Sequence, residues 1–510
     1  TLEFLELNER ALVTETDLEQ AILDNLQHFL LEMGHGFCFE ARQKRILIDE
    51  DYFFADLVFY HRILKCHVIV ELKIDKFRHE YASQLNMYLN YFKAEVMQPD
   101  DNPPIGILLC TEKGDTLVKY ATAGLDPNIF VQKYRIELPT EEEIKVFSNA
   151  KEVLCVNSWT SGAIMMLRWL GVTAEDEVIV PAYTYSATAL AVLHAGAKPV
   201  MVDSGEDFNI SVDAIRKAIT PRTKAIIPVD IAGFPCDYDR IMRLVNEPEI
   251  RNLFQATSLV QEKLGRILVM NDAAHSLGAY YSKNQRTGCE TDIAIFSLHA
   301  VKNVTTAEGG AICLNLPEPF DNAELYKELR MMSLNCQTKD AFSKSKAGGW
   351  RYDIVGLGMK INMADVNAAI GLAQIREYPE LLKERKRVFN TYSKAFADCD
   401  WAILPPSEDG EKESSYHIYA LRIKDFTEEQ RDRMIDEIAK SEVAVNVHFI
   451  PMPMLSFFIS LGYDIKNYPQ AYENFKGEIS LPIYPQLDEE KLDFIIKAVK
   501  DAYLKVTVDR

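Results

Sequence analysis

Short apolar runs alternate with helical segments between about residue 151 and residue 377. These runs span residues 153–157, 177–180, 199–203, 225–229, 267–271 and 292–297. Strands of this length that are apolar throughout are typical of a parallel sheet whose two faces are covered by helices. The alternation therefore predicts an α/β domain built on a largely parallel sheet.

The rest of the chain has a different pattern on each side of this region. Before residue 140 a helical stretch at 17–33 is followed by strands at 55–60 and 67–72, a helix at 80–93 and a strand at 105–110. From about residue 378 long helices predominate. A chain of 510 residues also exceeds what one hydrophobic core usually serves. The predicted organisation is a small α/β domain (1–140), a junction (141–150), a large domain (151–377) and a small C-terminal domain (378–510).

Charge and cysteine usage restrict the possible partners and compartment. The net charge is −20, and residues 1–140 alone carry 14 Lys and Arg against 23 Asp and Glu. Nucleic acid and anionic lipid are therefore disfavoured as partners, because both require clustered cations. The nine cysteines form no CxxC pair, and no apolar run is long enough to cross a bilayer. These features predict a cytoplasmic protein without a membrane partner.

Polar residues follow several of the predicted strands, where ligands bind in open α/β sheets. Thr160 and Ser161 open a helix directly after the first strand, and free amides at a helix start can bind phosphate. Asp272 closes the strand that precedes His275, and a carboxylate there could hold a protonated pyridine nitrogen. Each feature also has an ordinary explanation, since Ser and Thr cap helices and Asp is common in turns.

A lysine and an aromatic ring complete the set. Lys302 follows the strand that ends near Ser297, and a lysine in this position can form an imine with a carbonyl cofactor and later carry a proton. Tyr185 follows another strand and could stack on a flat cofactor or pack in the core. A phosphate cradle, a ring, an acid and a lysine in this order predict a pyridoxal 5′-phosphate (PLP) site.

Longer motifs strengthen this prediction. Residues 151–504 contain, in order, EDEVIVPAYTYSATALAVLHAGAKPVMVD, TPRTKAIIPVDIAGFPCDYD, NDAAHSLGA, FSLHAVKNVTTAEGGA, NMADVNAAIGLAQ, NVHFIPMPM and ISLPIYP. The stretch resembles the DegT/StrS family of sugar aminotransferases. The resemblance implies the PLP-dependent transferase fold type I, in which a large α/β domain is followed by a small C-terminal domain.

The same resemblance assigns roles to individual residues. Lys302 would bind the cofactor covalently, Asp272 would pair with its pyridine nitrogen and His275 would lie beside it. Tyr185 would stack on its ring. The residues implied to hold its phosphate are Thr160, Ser161 and Ser297. The implied reaction moves an amino group from a donor, typically glutamate, to a nucleotide-linked keto-sugar during amino-sugar biosynthesis for surface polysaccharide.

A homodimer is also implied. Residues 358–363 resemble a family loop that reaches into a neighbouring subunit, with Lys360 near the partner's phosphate. His417 and His448 lie in recognisable family stretches, where hydrogen-bonded structural roles are expected. Two departures stand out. Trp159 occupies a place that is usually small, so its indole must point away from the cofactor or crowd it. The family's leading segment is largely replaced by chain arriving from another domain.

The N-terminal domain carries a second candidate site. Asp56 lies in one predicted strand, and Glu71 and Lys73 lie at the end of the next, in a pattern that can hold Mg²⁺ and orient a water molecule. Asp followed by ExK is common, and a surface ion pair would also explain it.

The surrounding sequence, FFADLVFYHRILKCHVIVELKIDKFRHEYASQLNMYLNYF, resembles a PD-(D/E)XK restriction-like nuclease domain. The likeness implies a small restriction-endonuclease-like α/β fold. Asp56 and Glu71 would bind the metal, Lys73 would be catalytic, and Glu19 and Gln84 would support them. Ala55 stands where the motif usually has proline.

Three hypotheses follow. The first is a sugar aminotransferase with an attached nuclease-like domain. The second is a metal-dependent nuclease joined to an inactive aminotransferase remnant. The third is a non-catalytic assembly protein. They differ in whether the chain binds PLP through Lys302 and whether it cleaves DNA with Mg²⁺ through Asp56 and Glu71.

Overall fold

The computed structural model of the protein describes most of the chain. The residues described are 37–49, 51–73, 76–110, 118, 121, 122, 125, 126, 128–133, 139–338 and 352–508. They fall into two compact units, the first ending at Pro139 and the second comprising the chain from Thr140 to Thr338 and from Tyr352 onward. The predicted helix at 17–33 lies outside the described residues. No described helix is long and apolar enough to span a bilayer.

The first unit is a five-stranded sheet with a helix packed on it. Its strands are β1 (Phe37–Ile48), β2 (Asp51–His61), β3 (Cys66–Leu72), β4 (Ile105–Cys110) and β5 (Ile129–Lys133), in that spatial order. The pairs β1–β2 and β2–β3 are antiparallel, whereas β4 and β5 run parallel to β3. The helix His79–Tyr91 buries Leu85 and Tyr88 in the core, and a short π-helical turn, Phe92–Val96, follows it.

The second unit contains a seven-stranded sheet. The strands of its large domain are β6 (Glu152–Val156), β7 (Glu177–Pro181), β8 (Lys198–Val202), β9 (Thr223–Ile226), β10 (Leu268–Asp272), the short pair β11 (Tyr280–Ser282) and β12 (Gln285–Arg286), β13 (Ile293–Ser297) and β14 (Gly310–Leu314). The spatial order is β6-β14-β13-β10-β9-β7-β8. Only β14 runs against its neighbours. The prediction of a largely parallel α/β sheet is confirmed.

Helices of the large domain connect and cover these strands. They are Pro139–Ser148, Trp159–Leu170, Ala187–Ala195, Val212–Ala218, Tyr238–Asn246, Pro248–Leu253, Leu259–Leu264 and Asn322–Met332. Several begin at a serine or aspartate whose side chain accepts a hydrogen bond from the first turn, as Ser158, Ser211 and Asp321 do. Val180, Ile227 and Ile295 lie in the fully buried core that the helices enclose.

The helix Pro139–Ser148 covers the edge of the large sheet. Glu141 accepts a hydrogen bond from the Cys155 amide of β6 at 2.6 Å, and its other oxygen accepts one from the Tyr326 hydroxyl at 2.8 Å. The Asn157 amide then donates to the Ile361 carbonyl at 2.7 Å. An edge strand exposes unpaired backbone groups, and these contacts satisfy some of them. Much of the predicted junction is thus a helix of the second unit.

The small C-terminal domain includes the second half of the long helix Asp365–Phe396. Three antiparallel strands, β15 (Ala402–Ile403), β16 (Tyr419–Ile423) and β17 (Glu478–Leu481), pack against helices. These helices are Glu428–Ala439, Ser456–Ser460, Pro469–Lys476 and Glu489–Val508. Phe389, Leu421 and Val499 belong to its separate apolar core. The predicted pattern of long helices with a few strands is therefore observed.

Candidate active site

Strand register brings the predicted phosphate residues to one corner of the large sheet. Ser297 at the end of β13 lies opposite Gly310 of β14, which lies opposite Val156 at the end of β6. A Cβ atom at Gly310 would lie 2.7 Å from the Ser158 carbonyl carbon and the Trp159 nitrogen. Only glycine therefore lets the turn into the next helix pass this close to β14, so the start of that helix lies near Ser297.

The first turn of this helix carries Thr160 and Ser161. Ser158 caps it by accepting a hydrogen bond from the Ser161 amide at 3.1 Å, and the two serine hydroxyls lie 2.9 Å apart. Thr160 and Ser161 are both half-buried. The amides at the start of the helix and the hydroxyls of Ser158, Thr160 and Ser161 are groups that can bind a phosphate.

Trp159, the unusual residue in this turn, is buried. Its side chain belongs to the apolar core of the large domain rather than to the surface of the turn. Its indole nitrogen has no hydrogen-bond partner among the described residues. The burial agrees with the first of the two expected arrangements, in which the indole points away from the cofactor.

Asp272 is a buried acid at the end of β10. One of its oxygens accepts a hydrogen bond from the Thr188 hydroxyl at 2.8 Å, and the other accepts one from the Ala274 amide at 3.2 Å. Burial raises the pKa of Asp272 to about 7, although Thr188, Ala274 and the Lys302 ammonium favour the charged form. The carboxyl group therefore has a high affinity for a proton at neutral pH.

Lys302 is the second titratable group of the candidate site. Burial lowers its pKa to about 8, and the Asp272 carboxylate opposes that shift. A substantial fraction of the Lys302 side chain is therefore a neutral amine near pH 8, which is the form that attacks a carbonyl carbon. The next residue along the chain, Asn303, contacts His417, whose ring lies 4.6 Å from the ring of His275.

Aromatic rings line the pocket beside this pair. The His275 ring stacks on Phe449 with 5.8 Å between ring centroids, and Phe449 lies 6.0 Å from Tyr185. Tyr185 is 61% exposed, so its ring lies at the surface rather than in the core. Burial and the positive charge of Lys302 hold the pKa of His275 well below its usual value. His275 is therefore neutral at physiological pH.

His417 and His448 are both hydrogen-bonded. His417 Nδ1 lies 2.8 Å from the Asn303 side-chain oxygen, and the amide nitrogen of Asn303 donates to the Ser415 carbonyl at 2.8 Å. His448 Nδ1 lies 2.9 Å from the Ser480 hydroxyl, and burial lowers its pKa to about 4. These bonds agree with structural roles, although His417 also lies 4.6 Å from the His275 ring.

Lys360 lies on an exposed segment of the chain. Its ammonium donates to the Asn362 side chain at 2.7 Å, and its backbone bridges to Leu334. The side chain is exposed to solvent. Its predicted contact with a partner's phosphate stays a prediction.

Three contributors to the site were not predicted from sequence. Thr188 bonds Asp272, Asn303 orients His417, and Phe449 stacks on His275. The position of Asn303 directly after Lys302 was a usable signal. Thr188 lies within a family motif but has no feature of its own that singles it out.

The residues suit PLP. Among the described residues no polar atom bonds His275 Nδ1, although that nitrogen is buried. A buried polar atom without a partner is costly, so a ligand that supplies one is favoured there. The pocket also offers an amine, an acid of raised proton affinity, exposed aromatic surface and the start of a helix. These are the groups that an aldehyde, a pyridine nitrogen, a flat ring and a phosphate require.

The acidic cluster of the first unit brings together three predicted residues. Asp56 accepts a hydrogen bond from the Leu72 amide at 2.8 Å, and its own amide donates to Glu71 at 3.1 Å. Lys73 lies 3.7 Å from the second Glu71 oxygen, and both side chains are buried. A buried lysine and two carboxylates at adjacent strand positions are not an ordinary surface ion pair.

Gln84 and Tyr88 approach this cluster from the helix. Gln84 donates to the Tyr88 hydroxyl at 2.6 Å, and burial together with the charges of Glu71 and Asp56 raises the pKa of Tyr88. Glu19 lies outside the described residues. Among those described, no three His, Cys, Asp or Glu side chains are arranged to hold a metal ion.

Sequence comparisons identify the relatives of both units. Residues 112–500 match the DegT/DnrJ/EryC1/StrS aminotransferase family, and residues 1–149 match the YhcG PDDEXK nuclease domain. MJ1066, an uncharacterised protein of Methanocaldococcus jannaschii, is 34% identical over 367 residues, which cover 71% of this chain and 89% of that protein. The spore coat polysaccharide biosynthesis protein SpsC of Bacillus subtilis is 32% identical over 71% of this chain and 88% of SpsC.

Solved structures agree with these relatives. Spr1654 of Streptococcus pneumoniae is described as a candidate sugar aminotransferase. The structure of its PMP form has 41% sequence identity to this chain and a TM-score of 0.69. The match covers 72% of this chain and 92% of Spr1654. A PLP form of the same protein is also similar, with 40% identity and a TM-score of 0.68 over 72% of this chain and 91% of that one. These matches confirm the predicted fold type and the PLP cofactor.

Proposed function

The chain belongs to the DegT/DnrJ/EryC1/StrS aminotransferase family, and on that basis we propose that it aminates a nucleotide-linked keto-sugar with glutamate as donor. The observation that supports the proposal best is the pair of Lys302 and Asp272, in which burial lowers the pKa of the amine and raises the pKa of the acid while each charge opposes the shift of the other. Strongly shifted pKa values of an acid and an amine are typical of functional sites.

Lys302 is the proton carrier in this proposal. When bound, PLP withdraws electrons from the carbon that bears the amino group. In the donor half-reaction the Lys302 amine would carry the proton from the donor's carbon to a carbon of the cofactor, and in the acceptor half-reaction it would carry a proton from the cofactor to the sugar carbon. Asp272 holds the proton on the pyridine nitrogen, because its own pKa is raised and its oxygens are fixed by Thr188 and Ala274.

The remaining side chains orient the reactants. Thr160, Ser161 and Ser297 fix the phosphate end, and Tyr185 and His275 line the ring. Burial of Asp272 and His275 keeps water away from the pyridine side of the pocket. Holding the reacting carbon near the Lys302 amine is the main contribution expected from such positioning.

Two observations support the finer details of this proposal. The SpsC relative is named for spore coat polysaccharide biosynthesis, and PseC of Helicobacter pylori, which acts in pseudoaminic acid biosynthesis, has 25% identity and a TM-score of 0.63 over 73% of this chain and 92% of PseC. An amino sugar destined for surface polysaccharide is consistent with both. All nine cysteines are free, which favours a reducing compartment such as the cytoplasm.

The donor half-reaction provides the test. Adding L-glutamate to the PLP-loaded protein should remove the visible band of lysine-bound cofactor and release one equivalent of 2-oxoglutarate per site. A panel of UDP- and dTDP-linked keto-sugars should then restore the band with the correct acceptor. D-glutamate serves as the control and should leave the band unchanged. If L-glutamate yields no 2-oxoglutarate, the proposed donor is wrong.

We also propose that the aminotransferase unit works as a homodimer. Exposed apolar side chains lie close to Lys302 or Lys360 in the sequence, and one of them, Leu357, is 86% exposed. The set comprises Val301, Ile354, Val355, Leu357 and Val366. Apolar side chains exposed in one chain are favourable at a symmetric interface. In such a dimer Lys360 would contact the phosphate at the partner's site.

Complementation tests the shared site. Lys302→Ala and Lys360→Ala chains should each be inactive alone, whereas co-expressed chains should form mixed dimers in which one of the two sites has both lysines. Random pairing predicts recovery of about a quarter of wild-type activity. A monomer by sedimentation, or mixed dimers without activity, would contradict the proposal.

A metal-dependent nuclease activity of the first unit is the second candidate function. The supporting observation is the cluster of Asp56, Glu71 and Lys73, in which a buried lysine lies against a carboxylate. Carboxylate oxygens are the ligands that Mg²⁺ prefers, and a lysine beside them can orient an attacking water.

DNA cleavage tests this second function. The wild type should cut single- or double-stranded DNA with Mg²⁺ and not with EDTA, and Asp56→Asn or Glu71→Gln should abolish the cutting. Two control variants should cut normally: Glu80→Gln, which changes an exposed carboxylate of the same unit, and Lys302→Ala. Absence of Mg²⁺-dependent cutting by the wild type would dismiss this function.

A further inference from the structure

A second buried carboxylate, Asp230, lies behind the active-site acid. Its backbone amide donates to the Asp272 carbonyl at 3.3 Å, and the preceding residue, Val229, bridges to Asp272 in parallel register. Asp230 is fully buried, with no exposed surface. Burying an ionised carboxylate costs free energy unless hydrogen bonds or an opposite charge compensate for it.

Four hydrogen bonds hold the Asp230 carboxylate. One oxygen accepts from the Cys236 amide at 2.9 Å and from the Tyr238 hydroxyl, and the other accepts from the Asn271 side-chain nitrogen at 3.0 Å and the Ser276 hydroxyl at 2.6 Å. All four partners are donors. These donors favour the ionised carboxylate, whereas burial opposes them and raises the pKa of Asp230 above its usual value.

Two of these donors flank the residues of the active-site turn. Asn271 immediately precedes Asp272, and Ser276 immediately follows His275. Asp230 therefore fixes both ends of the turn that carries the acid and the imidazole. Asn271 also donates to buried Glu290 at 2.5 Å, which links a third acid to the same amide.

We propose that Asp230 is a positioning residue of the aminotransferase site, and that its buried charge keeps the pyridine nitrogen of bound PLP protonated through Asp272. Asp230 does not touch the cofactor in this arrangement. A negative charge near Asp272 raises the pH at which the pair of Asp272 and the pyridinium loses its proton. The inference rests on the binding of PLP beside Asp272.

Other charged and titratable groups also affect the pKa of Asp272. The Lys302 ammonium favours the ionised form of Asp272, whereas Asp230 opposes it. Glu290 acts through Asn271, and burial together with Asp230 raises its pKa to about 7. His275 is neutral. Asp230 is thus an acid whose charge, favoured by four hydrogen-bond donors, raises the proton affinity of Asp272.

The protonation state of the pyridine nitrogen tests the proposal directly. The protein is loaded with PLP labelled with nitrogen-15 in the ring, and the nitrogen chemical shift is followed as pH rises. The visible band of lysine-bound PLP shows separately that the cofactor is in place. We expect Asp230→Asn to lose the pyridine proton at a pH about one unit or more below the wild type.

A matched control separates the loss of this charge from the general effect of removing a buried acid. Asp176 is equally buried and accepts hydrogen bonds from Thr173 at 2.8 and 3.0 Å, but it precedes β7 at the end of the sheet away from the pocket. Asp176→Asn should leave the nitrogen titration unchanged. An unchanged titration in folded, PLP-loaded Asp230→Asn would overturn the proposal.

A second pair of substitutions applies if Asp230→Asn does not fold. Tyr238→Phe and Ser276→Ala each remove one donor and so favour the neutral form of Asp230. The double variant should shift the nitrogen titration in the same direction as Asp230→Asn. No shift in the double variant would equally contradict the assigned role. Failure of the wild type to bind PLP would instead refute the cofactor site itself.

Discussion

Replacing Lys302 by alanine is expected to abolish the visible band of lysine-bound PLP and to lower transamination by roughly 10⁴-fold. The variant loses both the amine that binds the cofactor and the group that moves the proton. Absorbance of the PLP-loaded protein and release of 2-oxoglutarate from L-glutamate measure the two effects.

The pH dependence of cofactor uptake provides a further check on Lys302. Burial lowers its pKa to about 8, so the neutral amine increases as pH rises through that value. The rate at which the apoprotein binds PLP covalently should rise over the same range. Lys283→Ala, which alters an exposed lysine paired with Glu411, is the control and should behave as the wild type. A visible band that persists in Lys302→Ala would show that another lysine binds the cofactor.

Replacing Asp272 by asparagine is expected to lower the rate of the donor half-reaction by about 100-fold or more. Asparagine keeps the size of the side chain and can still accept a hydrogen bond from Thr188, but it cannot carry the charge that holds a proton on the pyridine nitrogen. The visible band should persist, because Lys302 is intact. Single-turnover kinetics with L-glutamate measure the effect.

An exposed aspartate provides the comparison for this variant. Asp398→Asn changes a solvent-exposed carboxylate at the end of the long helix and should leave the half-reaction unchanged. A rate in Asp272→Asn within a few-fold of wild type would mean that the buried acid has no role in the electron sink. The donor would then have to react without a protonated ring.

The large domain was predictable because its sequence pattern is local. Each strand is a short apolar run, and residues such as Asp272 and Lys302 are recognisable because they directly follow such runs. The strand β14 was not among the predicted apolar runs, and it is the strand that runs against its neighbours. A short apolar run can pair in a parallel or an antiparallel direction, so its sequence does not predict which of the two it adopts.

Contacts between distant residues were not predictable in the same way. Thr188 reaches Asp272 across 84 positions, and Ser276 reaches Asp230 across 46. Phe449 comes from the small domain to stack on His275. None of these pairs has a periodicity or spacing that marks it, because each depends on how separate elements pack. The sequence likewise did not show that Trp159 would be accommodated in the core.

Chemical trapping tests the central claim most directly. The PLP-loaded protein is reduced with borohydride, which makes the bond between cofactor and lysine permanent, and the digested peptides are then examined by mass spectrometry. We predict that the phosphopyridoxyl group is found on Lys302 alone. Modification of a different lysine, or of none, would contradict the assignment of the active site.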